Sequence, residues 1–170
     1  MNEITEIKVR NFISHTLIDE IKDIQDKDHH YLSFGLIAQG IEFLGACIDE
    51  YDLRIPNKSK ERFTLAIKEL FPLEYQDFNV ENNSFNLYKN LRCGVLHVLL
   101  PYPCLELIQE KEIPKYGNHL EIKNIRDRNR LILVSQYLFE DFKNAAKEVI
   151  RRIDNHEITH EKVYNTFLYT

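Results

Sequence analysis

NNSFNLYKNLRCGVLHVLLP, residues Asn82–Pro101, is a predicted helix that carries apolar side chains on two opposite sides. At about 100° per residue, one stripe is typical of a helix packed on its own core. This first stripe consists of Phe85, Tyr88, Leu91, Val95 and Val98. The opposite side carries Lys89, Cys93, Leu96 and Leu100, with Arg92 and His97 on its shoulders. The pattern predicts burial of one face by the helix's own domain and of the other by a second protein chain.

Gly94 interrupts this helix near its middle. A glycine inside a helix costs roughly 1 kcal/mol relative to alanine, so its presence indicates a packing reason. We therefore expect another part of the protein to approach the backbone closely at Gly94.

The bulk composition is that of a soluble globular domain. The chain has 170 residues, of which 44% are hydrophobic and 29% charged, and its net charge is -5. This charge gives no general attraction to nucleic acid, so RNA binding would need a local basic patch. The strongest candidate patch consists of Lys123, Arg126, Arg128 and Arg130. These side chains either contact phosphates or form a solvated charged turn.

The N-terminus and the cysteines predict a cytoplasmic protein. MNEITEIKVRN is charged from its third residue and lacks the apolar centre of a signal peptide. No stretch approaches the roughly 18 apolar residues of a membrane span, so we expect no membrane partner. Cys47, Cys93 and Cys104 form no close pair, which indicates free thiols in a reducing compartment.

The remaining periodicity predicts one domain over residues 1–170. Apolar spacing of three and four residues favours helices over 2–26, 31–51, 58–71, 82–101 and 135–154, with an amphipathic piece over 158–168. The segments CLELIQ, HLEIK and RLILV resemble short strands within a loop and strand insertion at about 102–134, although RLILV could equally begin the next helix. The predicted fold is all-α, an up-and-down bundle of about five helices with a small strand-containing insertion.

His156-Glu157-Ile158-Thr159-His160 matches the zinc motif HExxH, and we reject it. Catalytic zinc needs a third protein ligand, and only Glu161 follows, too close to fold round the same ion. The motif also lies at the end of the chain, where a metal cleft is hard to build. We expect no metal and no cofactor.

Arg92 and His97 form an Arg-x4-His pair within LYKNLRCGVLH, residues 87–97. In a small helical domain with an apolar surround, this segment resembles the HEPN superfamily, helical bundles whose motif is an arginine followed four to six residues later by a histidine. The resemblance implies a homodimer that brings two motifs into a shared cleft, and metal-independent endoribonuclease activity with Arg92 and His97 as the catalytic pair. It also implies RNA and an antitoxin or nucleotidyltransferase-type protein as partners.

The chemistry of this pair agrees with the implied activity. RNA carries its own nucleophile, the 2′-hydroxyl, an imidazole can exchange its proton, and a guanidinium can hold the scissile phosphate. Lys89, Tyr88 and Glu42 are candidate auxiliaries. Five positions place Arg92 and His97 about 140° apart on a regular helix, so we expect a symmetric second chain to complete the site.

A non-catalytic function of the chain is the alternative interpretation. Cys93 stands where a polar residue often follows the motif arginine, and Leu99 stands where one toxin subgroup has a tyrosine. Arg92 could instead pair with a carboxylate while His97 is buried at a helix interface. The alternative function is a helical dimerisation or interaction module of the toxin-antitoxin or defence accessory type.

Overall fold

The computed structural model describes residues 10–53 and 55–158 of the chain. The predicted helical residues 2–9, the final amphipathic piece beyond Ile158 and the side chain of Val98 lie outside this description. Helix α1 comprises a π-helical stretch, Phe12–Glu20, and an α-helical stretch, Ile21–Asp26. Four further elements follow: α2 (His30–Ile48), α3 (Ser59–Leu70), the short α4 (Glu74–Asp77) and α5, in which π-helical Tyr88–Cys93 continues as α-helical Gly94–Val98. The remaining elements are β1 (Leu105–Ile108), a 3-10 helix (Glu110–Glu112), α6 (Ile113–Tyr116), β2 (Ile122–Ile125), β3 (Arg128–Val134) and α7 (Ser135–Asp154).

The fold is mixed α/β, so the prediction of an all-α bundle is wrong. The three strands form one sheet in the order β1-β3-β2, in which β1 runs parallel to β3 and β2 runs antiparallel to it. Leu131 to Val134 of the central strand are fully buried. RLILV is therefore a strand, and α7 begins only at Ser135.

Both faces of the sheet are covered, which explains why it belongs to the core. Leu131 and Leu133 point into the main hydrophobic core with the helices. Ile132 and Val134 point the other way and pack with Ile108, Ile113 and Tyr116 in a smaller cluster. A strand buried on both faces has a continuous apolar sequence, because each side chain meets a packed layer.

Helix α2 is the centre of the helical layer and packs closely on its neighbours through glycines. A Cβ atom at Gly45 would lie 1.9 Å from the carbonyl oxygen of Arg62 on α3. At Gly40 it would lie 2.6 Å from the ring of Phe142 on α7. The glycines weaken the helix intrinsically, and the close approach of α3 and α7 compensates for this cost.

α2 is also apolar enough, by length and composition, to cross a membrane. Its apolar window is 61% buried inside the fold. This burial is that of a core helix.

Helix α7 agrees with its predicted bounds and inner stripe. The side chains of this stripe are each at most 1% exposed, and they are Leu138, Phe142, Ala145, Val149 and Ile153. Spacings of three and four residues place them on one face, which packs against α2.

Candidate functional site

Arg92 lies near the end of the π-helical part of α5, and His97 lies in the α-helical part that follows it. Nη1 of Arg92 lies 3.2 Å from Nε2 of His97. The contact is made by the long side chain of Arg92, which reaches round the helix to the imidazole. The expectation that a second chain must complete the pair is therefore wrong, because one chain brings both side chains to one place.

Glu42 on α2 holds the guanidinium from the opposite side. Nε of Arg92 donates a hydrogen bond to Oε2 of Glu42 at 2.7 Å. The two side chains are only 13% and 14% exposed, so this ion pair is partly shielded from water. Of the predicted auxiliaries, Glu42 thus contacts the catalytic candidate directly.

Tyr88 supplies a third contact to Arg92. Cζ of Arg92 lies 5.8 Å from the centroid of the Tyr88 ring, and the other side of that ring meets Phe63 edge-on at 5.7 Å. Burial raises the pKa of Tyr88, as do the charge of Cys93 and a hydrogen bond with it, while Arg92 acts in the opposite direction. Tyr88 therefore keeps its hydroxyl proton at neutral pH and serves as packing for the guanidinium.

The contact between Arg92 and His97 determines the state of the imidazole. A guanidinium can only donate hydrogen bonds, so Nε2 of His97 must be the acceptor and carries no proton in this arrangement. His97 is exposed to solvent. The pair consequently presents a proton acceptor and a cationic hydrogen-bond donor side by side at the surface.

Gly94 confirms the expected close packing, but the packed atoms belong to the chain itself. A Cβ atom there would lie 2.8 Å from the carbonyl oxygen of Leu100 and 3.1 Å from Cδ2 of Tyr102. The chain turns back at Leu99, whose φ is 55°, and covers part of the second face of α5. Leu99 and Leu100 stay 68% and 66% exposed beside His97.

The four predicted RNA-binding residues lie on the hairpin of β2 and β3. Lys123 is opposite Arg130 in the register, and Arg126 lies in the two-residue turn. Two of the four already have acidic partners: Arg130 binds Glu106 at 2.8 Å, and Lys123 lies 3.5 Å from Glu121. Arg126 and Arg128 are exposed near the tip.

Cys104 links this hairpin to α5. Burial raises the pKa of its thiol, and the charges of Lys89 and Arg130 partly oppose that effect. Lys89, the third predicted auxiliary, is exposed. The side chain of Arg92 is hydrogen-bonded to Glu42 and His97 and not to Lys89. One end of the basic hairpin and the exposed lysine of α5 therefore lie near the same thiol.

A second polar cluster, Tyr75 with His119 and Asp141, was missed from the sequence. The Tyr75 hydroxyl donates to Oδ2 of Asp141 at 2.7 Å and lies 2.7 Å from Nε2 of His119. Nδ1 of His119 accepts the backbone N–H of Val134 at 2.9 Å, so Nε2 carries the proton of the neutral ring. The chain of donors runs from His119 through Tyr75 to Asp141.

Burial explains the electrostatics of this cluster. It lowers the pKa of His119 to about 4 and raises the pKa of Asp141, an effect that the bond from Tyr75 partly opposes. Burial and the charge of Asp141 raise the pKa of Tyr75. Tyr75 is 44 positions from His119 and 66 from Asp141, so no local motif signals the cluster.

Within residues 10–53 and 55–158, no three or more His, Cys, Asp or Glu side chains are grouped so that they could hold a metal ion. The second histidine of the HExxH string, His160, lies outside the described residues. Glu157 of that string is bound to Arg151 at 2.7 Å.

Comparison of the chain with protein-family models, curated proteins and solved structures finds no match. Its function is therefore inferred from the geometry around Arg92 and His97.

Proposed function

We propose that this chain is a cytoplasmic RNA-binding protein that acts as a homodimer and cleaves RNA without a metal ion, with Arg92 and His97 at the site of reaction. The observation that carries this proposal is the 3.2 Å contact between Nη1 of Arg92 and Nε2 of His97, with the imidazole exposed. An unprotonated imidazole nitrogen next to a guanidinium is a pairing of general base and phosphate binder.

The proposed reaction is an internal transesterification of RNA. When the phosphate binds, Arg92 turns its Nη1 from His97 to a phosphate oxygen, which frees the lone pair of Nε2. Nε2 of His97 then takes the proton of the 2′-hydroxyl, and the 2′-oxygen forms a bond to the adjacent phosphorus. The bond from phosphorus to the 5′-oxygen breaks, and that oxygen takes a proton from the imidazolium of His97. The products are a 2′,3′-cyclic phosphate and a 5′-hydroxyl, and no redox or metal step is needed for the atoms to balance.

Glu42 sets which edge of Arg92 meets the phosphate. Because Nε is bonded to Glu42, a phosphate oxygen pair would bind at the Nη1 and Nη2 edge, where it takes the place of His97 at Nη1. Tyr88 limits the motion of the same group from its ring face. Glu42 and Tyr88 are thus positioning residues, and Lys89 adds positive charge on the exposed side.

The hairpin supplies a second, more distant contact to RNA in this proposal. Arg126 and Arg128 are exposed and form no ion pair with an acidic side chain among the described residues, which suits them to phosphate binding. Lys123 and Arg130 instead pair with Glu121 and Glu106. Along β3, Arg128 lies about 7 Å from Arg130. RNA that reaches both the hairpin and Arg92 would pass Lys89 and Cys104.

The apolar edge beside His97 supports a second copy as the protein partner. Leu99 and Leu100 expose two thirds of their surface next to the proposed site. A twofold pairing of this edge would remove both leucines from water and place two Arg92 and His97 pairs near one axis.

The second candidate function is a non-catalytic interaction module, and the Glu42 contact favours it. A guanidinium neutralised by a carboxylate at 2.7 Å is also what a purely structural ion pair looks like. In that case the surface around Leu99 would bind an antitoxin or a nucleotidyltransferase-type protein, and RNA would not be cleaved.

The test is incubation of the purified protein with mixed RNA and mixed single-stranded DNA, with and without chelator. The proposal predicts cleavage of RNA only, unchanged by chelator and lost in Arg92→Ala and His97→Ala. Arg128→Ala is the matched control for loss of an arginine, and it should weaken binding without abolishing cleavage. Absence of cleavage by the wild-type protein would favour the interaction module, and cleavage abolished by chelator would point to a metal mechanism.

A further inference from the structure

Tyr102 lies at the surface, and its backbone is constrained by its neighbours in the chain. It stands between Pro101 and Pro103, and the residue before a proline is restricted to extended conformations. Its N–H donates to the carbonyl of Asn90 at 3.2 Å, and its own carbonyl accepts the N–H of Leu105 at 3.0 Å. The backbone of Tyr102 is therefore fixed on both sides, while its side chain remains 44% exposed.

The ring of Tyr102 lies against α5 at the proposed site. Its Cδ2 atom is 3.1 Å from the position that a Cβ atom at Gly94 would occupy. Gly94 is three residues before His97, and residues three apart are neighbours on a helix. The ring of Tyr102 therefore lies on the His97 side of α5, and His97 in turn contacts Arg92.

We propose that an unpaired RNA base stacks on Tyr102 while the adjoining phosphate binds Arg92, so that the site takes single-stranded RNA. This inference rests on the proposed function and adds a specificity residue to it. Aromatic side chains beside cations are how proteins hold unpaired bases, since every base has a π-face that can stack. A rigid tyrosine loses little conformational freedom when a base stacks on it.

A second exposed tyrosine borders the same turn. The Tyr31 hydroxyl donates a hydrogen bond to the carbonyl of Leu99, and the Tyr31 side chain is 42% exposed. An RNA strand that extends from Tyr102 towards Leu99 would meet the ring of Tyr31 on α2.

The test measures binding of a labelled single-stranded 2′-O-methyl RNA of about ten nucleotides, which lacks the free nucleophile, and of the same backbone without bases. Tyr102→Leu fills the space over Gly94 without a π-face, and Tyr102→Phe keeps the ring. We expect Tyr102→Leu to bind the complete oligonucleotide roughly 5-fold to 100-fold more weakly and Tyr102→Phe to bind it as the wild type does. Both variants should bind the base-free oligonucleotide as the wild type does.

Tyr51→Leu is the matched control. Tyr51 is 43% exposed and has a lysine over its ring, but it follows the far end of α2. It should bind both oligonucleotides normally.

A direct readout of stacking is available because the chain contains no tryptophan. In Tyr102→Trp the new indole is the only one, and its fluorescence should be quenched by the complete oligonucleotide but not by the base-free one. This measurement does not depend on Tyr102→Leu being folded.

Normal binding by Tyr102→Leu, an equal loss on both oligonucleotides, or no quenching would overturn the stacking role. If Arg92→Ala weakens binding while Tyr102→Leu does not, the proposed function stands and this inference fails. If the wild-type protein binds neither oligonucleotide, both fail together.

Discussion

Nη1 of Arg92 meets Nε2 of His97 at 3.2 Å within one chain, although five positions separate the two residues. The long side chain of Arg92 makes this contact, and Glu42 and Tyr88 also contact the guanidinium. A second chain is therefore not needed to bring the two side chains together, and dimerisation would serve to join two complete pairs in one cleft.

The first prediction concerns this arrangement within one chain. Arg92→Ala and His97→Ala, unfolded together and refolded to allow mixed dimers, should show no recovery of RNA cleavage, because neither chain then carries a complete pair. The measurement is the cleavage rate of the mixture against each variant alone. Recovery to a substantial fraction of the wild-type rate would show that arginine and histidine act across the dimer.

Glu42 gives the second prediction. Glu42→Ala removes a charge-assisted hydrogen bond, so the free energy of unfolding should fall by about 2–3 kcal/mol, and cleavage should fall roughly 10-fold to 100-fold because Arg92 loses its orientation. Glu42→Gln keeps an acceptor for Nε of Arg92, so it should retain more of the stability and more of the cleavage rate. Urea denaturation and cleavage rates provide the two measurements. Faster cleavage in Glu42→Ala would mean that the carboxylate competes with the phosphate.

The sequence was sufficient for the candidate residues but not for their geometry. Arg92 and His97 form a local pair that spacing reveals, and Glu42 was a candidate auxiliary. Their contact could not be foreseen, since a regular helix separates the two positions by about 140° and the contact depends on the conformation of a long arginine side chain. The partner choice of Arg92 depends on the packing of α2 against α5, which lies 50 positions away in sequence.

The third prediction concerns the pH dependence of stability through His119. Its pKa falls from 6.5 to about 4 on folding, so the unfolded state binds more protons in this range, and stability present above pH 6.5 is lost as the pH falls towards 4. From the pKa shift of His119 alone, the free energy of unfolding should fall by about 2–3 kcal/mol between pH 7 and about pH 4.5. Uptake of a proton by Asp141, whose pKa is raised, should offset part of this loss near the lower end.

His119→Gln removes the titrating ring and should flatten this part of the curve. Urea denaturation of wild type and variant at matched pH values measures the difference, and Tyr75→Phe serves as a control that breaks the same cluster while keeping the histidine. Parallel curves for wild type and His119→Gln would exclude His119 as the cause of the acid sensitivity.

The fourth prediction compares two glycines of α2. Gly45→Ala would place a Cβ atom 1.9 Å from a backbone oxygen of α3, which cannot move aside. The free energy of unfolding should therefore fall by more than about 3 kcal/mol. Gly35→Ala places it 3.2 Å from a methyl group of Val95, and the better helix propensity of alanine should hold the net change under about 1 kcal/mol. Thermal denaturation of both variants checks the order. Equal destabilisation would mean that α2 and α3 are not packed as closely as described.

The fold was predictable where one face of a helix is buried and not where both faces of a strand are. In α7, polar residues between the buried ones mark the face, so its bounds and stripe follow from spacing. Leu131 to Val134 are all buried, and a short continuous apolar run does not say whether it is a central strand or the start of a helix. Its parallel pairing with β1 joins segments 26 residues apart, which the periodicity of neither strand could indicate.

The most direct test of the central claim, that His97 beside Arg92 accepts the proton of the RNA nucleophile, is the cleavage rate of His97→Ala relative to wild type. His15→Ala is the matched control, because His15 is 73% exposed and paired with Asp19 on α1. The predicted result is a rate at least roughly 100-fold lower in His97→Ala, a normal rate in His15→Ala, and wild-type products that end in a 2′,3′-cyclic phosphate. Equal rates in His97→Ala and wild type would contradict the assignment.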